Sequence, residues 1–389
     1  MRNLLCWFGL AIGSTVGCGG GGKADSPDAP GSAVDATPST VGCIDPASVT
    51  VSDTYEKHTV VNAAARNAIC NDGSPAIYYV RRGAGCGARR WLVAFEGGGS
   101  CSTIEECRLR PTKFKSSVGA DSTSKFAGML SNDAALNPDF FSANTVFVNY
   151  CSSDYWMGTQ PASAATDNLA FRGHDIVKAV MEDLNTEGVT GAPVLSSADD
   201  IVIAGSSAGG LGVLGNIDAI AAALPGKRVR AVVDAGWIAD IKAFAPEGEN
   251  GISTADAFDL AFTYWKATPD ESCAAAAGGA AGKCGIGALL FPTLSVPLFV
   301  HQDLKDPVQL KQLVIGATAA QASAYRTMFA ANLRAALGVL SGVFAPAVGD
   351  HGIIFKDEFA TRTLAGTSFR ETLGNWYFER AGVKQAIAP

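Results

Sequence analysis

Apolar residues in this chain gather into short, solid runs rather than alternating with polar ones. Six such runs are AIYYVRR (76–82), RWLVAFE (90–96), NTVFVNY (144–150), DIVIAG (200–205), RVRAVVDA (228–235) and VPLFVHQ (296–302). They are rich in β-branched and aromatic side chains and are bounded by turn formers, so they predict strands buried on both faces. Between them the apolar positions take a helical period. Residues 171–188 place Ile176, Val177, Val180, Met181 and Leu184 on one stripe, and residues 208–225 repeat the pattern up to Pro225. Strands alternating with helices predict an α/β fold with a mostly parallel central sheet flanked by helices. Residues 239–290 fit this alternation poorly and are expected to form a cap or lid inserted over the sheet.

The first 42 residues follow neither pattern. Residues 1–18 have a basic start at Arg2, an apolar core too short to span a bilayer, and small residues before Cys18, which is the build of a secretory signal. TVGC (15–18) resembles a bacterial lipobox, with Thr15 departing from the usual Leu, so Cys18 is an expected lipidation site and simple secretion is the alternative. Residues 19–42 are rich in Gly, Ser, Pro, Ala and Asp and read as a disordered tether. Residues 43–389 carry no internal repeat and no second linker, so one domain is expected there, acting as a monomer.

Composition narrows the function classes. The chain is 389 residues long with a formal net charge of -7 and no Lys/Arg-rich run, so nothing suggests a nucleic-acid partner. Membrane attachment is expected only through the anchor at Cys18. Setting aside Cys6 and Cys18, the cysteines are Cys43, Cys70, Cys86, Cys101, Cys107, Cys151, Cys273 and Cys284, an even set that suits export to an oxidising compartment. Cys101 with Cys107 and Cys273 with Cys284 are close in sequence and are read as disulfides. No CxxC or Cys/His spacing suggests zinc.

The candidate chemistry lies in GSSAG (205–209), which fits G-x-S-x-G only with Ser207 at the centre. That motif needs a strand, a sharp turn and a helix, and the flanking sequence supplies all three. A hydroxyl nucleophile needs a base, and the chain has four histidines. His58 and His174 precede the serine. His301 lies within an apolar run and reads as a packed strand residue. His351, in the Gly-rich stretch AVGDHGIIF, is the expected base. For the acid that orients it, Asp303 and Asp306 both follow the strand ending near His301, and Asp234 is a weaker third candidate. Asp306 also precedes Pro307 and so reads equally as a helix N-cap. An oxyanion hole is expected from the glycines of FEGGGSC (95–101), where Glu96 stands in place of the His of HGGG-type loops, together with the amide of Ala208.

In their order along the chain, these pieces resemble the pectin acetylesterase/Notum family of carboxylesterases. The resemblance is carried by CNDGSPAIYYVRRG (70–83), WLVAFEGGGSC (91–101), VNYCSSDYWMG (148–158), FRGHDIVKAVMEDL (171–184), GSSAGGLGVLGNID (205–218), VVDAGW (232–237), PLFVHQDLKD (297–306), DHGIIFKDEF (350–359) and LAGTSFRETLGNW (364–376). It implies an α/β-hydrolase-like fold and a serine carboxylesterase with Ser207, His351 and, of the open acids, Asp306. It also implies oxyanion donors at Gly98, Gly99 and Ala208, disulfides Cys70–Cys151 and Cys101–Cys107, and no metal or organic cofactor. Cys43 with Cys86 remains by elimination.

The substrate implied first is an acetylated polysaccharide such as pectin, met outside the cell by an outer-membrane lipoprotein or a secreted enzyme. Animal members of the family carry an aromatic residue where this chain has Gly99, so a pocket wall differs. The alternatives are a deacylase of longer acyl chains, a catalytically inactive carbohydrate- or lipid-binding module, and a serine peptidase.

Overall fold

The computed structural model describes residues 49–246 and 249–389. The expectations at Cys18 and Cys43, the signal and the tether lie outside the described residues.

Twelve strands appear among the described residues: β1 (Tyr55–Thr59), β2 (Ile77–Arg81), β3 (Arg90–Phe95), β4 (Thr123–Ser124), β5 (Asn144–Val148), β6 (Asp200–Ser206), β7 (Arg228–Asp234), β8 (Leu298–His301), β9 (Gly342–Ala345), β10 (Thr363–Leu364), β11 (Thr367–Ser368) and β12 (Gln385–Ile387). All but β10 and β11, which pair with each other, form one sheet in the order β12-β9-β8-β7-β6-β3-β5-β2-β1-β4. From β12 to β5 every neighbouring pair is parallel, while β2, β1 and β4 add on antiparallel at one edge.

The solid apolar runs have a simple cause in packing. Trp91, Val93 and Phe95 of β3 face one core with Ile201 and Ile203 of β6, Ala231 and Val233 of β7, and Val300 of β8. Leu92, Ala94, Val202, Val232 and Phe299 face the second core on the other side of the sheet. Both faces therefore need apolar side chains, and no polar alternation survives.

The helices are α1 (Ile104–Leu109), α2 (Gly173–Leu184), α3 (Ala208–Ala222), α4 (Thr254–Trp265), α5 (Glu271–Ala276), α6 (Gly287–Leu290), α7 (Pro307–Leu313), α8 (Ala319–Leu337), α9 (Glu358–Thr361) and α10 (Phe369–Tyr377). Helices α2, α3 and α8 supply the first core, and α10 closes the second through Phe369, Leu373 and Trp376. Helix α2 buries the expected stripe. Helix α3 differs from a one-sided stripe: every residue from Ala208 to Ile217 is buried, because the helix runs between the sheet and surrounding elements.

Helix α4 belongs to the inserted stretch and packs Phe258, Ala261, Phe262 and Trp265 into a third core with Leu211 of α3 and the Cys101–Cys107 bridge. Disulfides join Cys70 to Cys151, Cys101 to Cys107 and Cys273 to Cys284.

Candidate active site

The carboxyl ends of β6, β8 and β9 converge on one point. Strand β6 ends at Ser206, Ser207 takes φ 58° and ψ -120°, and α3 starts at the next residue. A positive φ is costly for a serine and persists only where its surroundings hold it. The flanking glycines explain how the turn closes. A Cβ on Gly205 would lie 2.2 Å from the Gly209 carbonyl oxygen, and one on Gly209 would lie 2.0 Å from that of Phe95.

The loop after β9 brings His351 to this turn. Its Nε2 stands 2.8 Å from Ser207 Oγ, and its Nδ1 stands 2.9 Å from Asp306 Oδ2. Asp306 follows β8 and is fully buried, whereas the His351 side chain is 21% exposed. The Asp306 carboxylate also accepts the backbone N–H groups of Val308 at 2.8 Å and Gln309 at 3.2 Å, which caps α7, and the Nε2–H of Gln302 at 2.8 Å. Burial alone would lower the His351 pKa, but the hydrogen bond and negative charge of Asp306 outweigh it and raise the pKa above the ordinary imidazole value.

The other candidates lie elsewhere. Asp303 faces His301 Nε2 and Arg362 Nη1, each at 3.8 Å, and burial pushes its carboxyl up to about 7. Asp234 Oδ1 lies 2.6 Å from Nδ1 of His301, which is a fully buried residue of β8. His174 Nδ1 meets Asn216 Oδ1 at 3.1 Å, and His58 stacks on Tyr78.

The glycine loop after β3 lies beside the serine turn, and Gly99 and Ala208 line the same cavity as Ser207 and His351. Gly98 and Gly99 take φ 146° and 71°. Arg110, just past α1, donates from Nη1 to the Gly98 carbonyl at 2.6 Å and from Nη2 to that of Gly99 at 3.3 Å. A trans peptide points its N–H opposite its C=O, so this grip fixes the orientation of the Gly99 amide. No sequence motif marks Arg110, since what it grips in the glycine loop are backbone carbonyls. Glu96 accepts the Tyr150 N–H at 2.8 Å, and burial pushes its pKa up to about 7.

The cavity holds about 730 Å³. Its wall is largely apolar, with Leu211, Ile238, Ile241, Phe258, Ala261 and Leu313, and its polar lining includes Ser100, Ser102, Arg110 and Gln312. Among the described residues, no group of three His, Cys, Asp or Glu side chains is arranged to hold a metal ion. A hydroxyl hydrogen-bonded to an imidazole that a buried carboxylate orients is chemically equipped for acyl transfer.

A family model described as Pectinacetylesterase matches residues 50–388. The chain belongs to the pectinacetylesterase family. This family member is similar to the palmitoleoyl-protein carboxylesterase Notum of Mus musculus, with 35% identity over 335 residues that cover 82% of this chain and 64% of that protein. It is 31% identical to the Notum of Drosophila melanogaster over 327 residues, covering 81% of this chain and 47% of that protein. The chain thus spans less than two thirds of the length of both relatives. Among solved structures, it is similar to the Wnt deacylase Notum from Drosophila, with a TM-score of 0.77 and 30% identity, covering 86% of this chain and 97% of that one.

Proposed function

We propose that this chain is a serine carboxylesterase whose acyl group enters the apolar cavity beside Ser207. The observation that carries this reading is the hydrogen-bonded run from Asp306 through His351 to Ser207. His351 takes the Ser207 proton as Oγ attacks the ester carbonyl. The amides of Gly98, Gly99 and Ala208 receive the oxyanion, and His351 returns the proton to the departing alcohol. Water, deprotonated by His351, then releases the acid and restores the serine. Asp306 keeps the imidazole proton on Nδ1 and stabilises the cation that forms.

The cavity argues for an acyl chain longer than acetyl. Its volume of about 730 Å³ far exceeds what one methyl group fills, and the wall offers apolar side chains along its length. Each methylene that leaves water for such a wall is worth up to about 0.8 kcal/mol, or roughly fourfold in kcat/KM. The curated relatives, named as palmitoleoyl-protein carboxylesterases, support the same reading. Removal of O-acetyl groups from a polysaccharide such as pectin is the second reading, supported by the description of the family model.

We also infer export, supported by the disulfides Cys70–Cys151, Cys101–Cys107 and Cys273–Cys284 among the described residues, since such bonds persist in oxidising compartments. Retention at the outer membrane would then rest on lipidation of Cys18.

The test compares hydrolysis of acetyl and octanoyl 4-nitrophenyl esters, and acetate release from acetylated pectin, for the wild type and Ser207→Ala. Preference for octanoyl supports the first reading, and preference for acetylated pectin supports the second. A wild type inert to all three substrates overturns both.

A further inference from the structure

Two side chains the acyl-transfer scheme does not use lie directly beneath it. Ser206 and Asp234 are register partners on β6 and β7, and the Ser207 N–H donates to the Asp234 carbonyl at 2.7 Å. The Asp234 carboxylate is fully buried. Its Oδ2 accepts the backbone N–H groups of Ile353 at 2.9 Å and Ile354 at 3.2 Å, and its Oδ1 takes the Nδ1–H of His301 at 2.6 Å. The Ser206 hydroxyl also hydrogen-bonds this carboxylate. Gly352 closes the gap: at φ 71°, a Cβ there would lie 2.3 Å from Ser206 Oγ and 3.1 Å from Asp234 Oδ2.

We propose that Asp234 is a positioning residue for the acyl-transfer site: with Ser206 and His301, it fastens the turn that follows His351 onto the strand ends that carry Ser207. The inference rests on the serine esterase reading above. The backbone of Asp234 holds the nucleophile's turn while its side chain holds the base's turn. One residue therefore sets the separation of Ser207 and His351 without touching the reacting atoms. His301 orients the carboxylate from β8, and strand pairing fixes its own backbone, with the Ala235 N–H donating to the His301 carbonyl at 2.9 Å.

The charge of Asp234 gives this role a separate signature. The groups facing this region are His301 on β8, Asp303 beyond it, Arg362 against Asp303, and Asp306, Asp350 and Lys356 around His351. After burial and Asp306, the negative charge of Asp234 is the next influence on His351, and it favours the imidazolium. Asn at this position keeps the shape and removes the charge, and its NH2 can meet His301 only once the imidazole proton has moved from Nδ1 to Nε2.

The test measures kcat, KM and the pH dependence of 4-nitrophenyl octanoate hydrolysis in the full chain, for the wild type, Asp234→Asn and Ser206→Ala. For Asp234→Asn, kcat is expected to fall roughly tenfold to hundredfold, the usual scale for loss of an orienting partner. KM should stay within about twofold, since Asp234 does not line the cavity, and the acidic limb of the kcat profile should move to lower pH. A folded Asp234→Asn variant with unchanged kcat, or with an unmoved acidic limb, overturns the proposal. Should Asp234→Asn fail to fold, Ser206→Ala decides: a lower kcat at unchanged KM supports positioning, and unchanged kcat overturns it. A wild type without esterase activity overturns the esterase reading and this inference together. An active wild type matched by Asp234→Asn overturns this inference alone.

Discussion

Asp306 and His351 meet at 2.9 Å across 45 residues of sequence, and the carboxylate that reaches the imidazole also caps α7 through the amides of Val308 and Gln309. One side chain thus has the geometry of both readings of Asp306, capping α7 and meeting the imidazole. The cap holds the carboxylate still, and a fixed carboxylate is what an orienting acid requires.

The dual role separates two substitutions. Asp306→Asn should lower kcat about 10³- to 10⁴-fold by losing tautomer control. Its helix cap should persist, because Asn caps helices about as well as Asp, and the stability it does lose should come from its NH2 facing the Gln302 amide. Asp306→Ala should lose as much activity and a further 1 kcal/mol or so of stability with the cap. Steady-state kinetics and thermal unfolding of both variants check this, and equal stabilities would contradict the cap.

The pH dependence of wild-type hydrolysis follows from His351. The base works only when unprotonated, and the pull of Asp306 outweighs burial and sets its pKa above the ordinary value of 6.5. Activity should therefore rise with pH through a midpoint above 6.5. A kcat profile already flat at pH values below that would contradict the geometry.

Asp303 predicts a pH-dependent change in stability. Burial pushes its carboxyl from 3.8 up to about 7, partly offset by His301 and Arg362. Between those values the folded state holds a proton that the unfolded state has released, so the stability contribution of this group falls as pH rises through the window. Asp303→Asn removes the ionisation. Its melting temperature, relative to wild type, should be higher at pH 8 than at pH 5, and a constant difference would contradict the shifted carboxyl.

Chain-length selectivity should reside in the cavity wall. Ala257 of α4 lines the cavity, and Ala257→Phe fills part of it. The kcat/KM for octanoyl esters should fall about tenfold or more, since several methylenes lose their contact, while that for acetyl esters should change much less. Equal losses on both would place the acyl chain elsewhere.

Much of this site is legible in the sequence because its parts are scarce or patterned. Ser207 is marked by glycines that the tight turn demands, and with four histidines in the chain only His351 follows the serine in a loop. Asp303 and Asp306 are not separable by pattern, since both follow β8 within a few residues. Their fates differ because Asp306 caps α7 with Oδ1 and presents Oδ2 to His351, while Asp303 turns toward His301 and Arg362.

The fold shows the same division. The six solid runs became strands β2, β3, β5, β6, β7 and β8, but β1, β9 and β12 are too short or too polar to carry a pattern. A one-sided stripe in α3 does not hold, because neighbours cover its whole circumference near the serine. The grip of Arg110 on the glycine loop, and that of Asp234 on the turn after His351, run through backbone groups, which have no side-chain signature to read.

The most direct test of the account is the site of acylation. The enzyme is mixed with 4-nitrophenyl octanoate, quenched in acid within the first turnover and mapped by peptide mass spectrometry. The octanoyl group should be found on Ser207 and not on Ser206, and Ser207→Ala should show neither the adduct nor turnover. Turnover with the adduct on another residue, or turnover retained in Ser207→Ala, would contradict it.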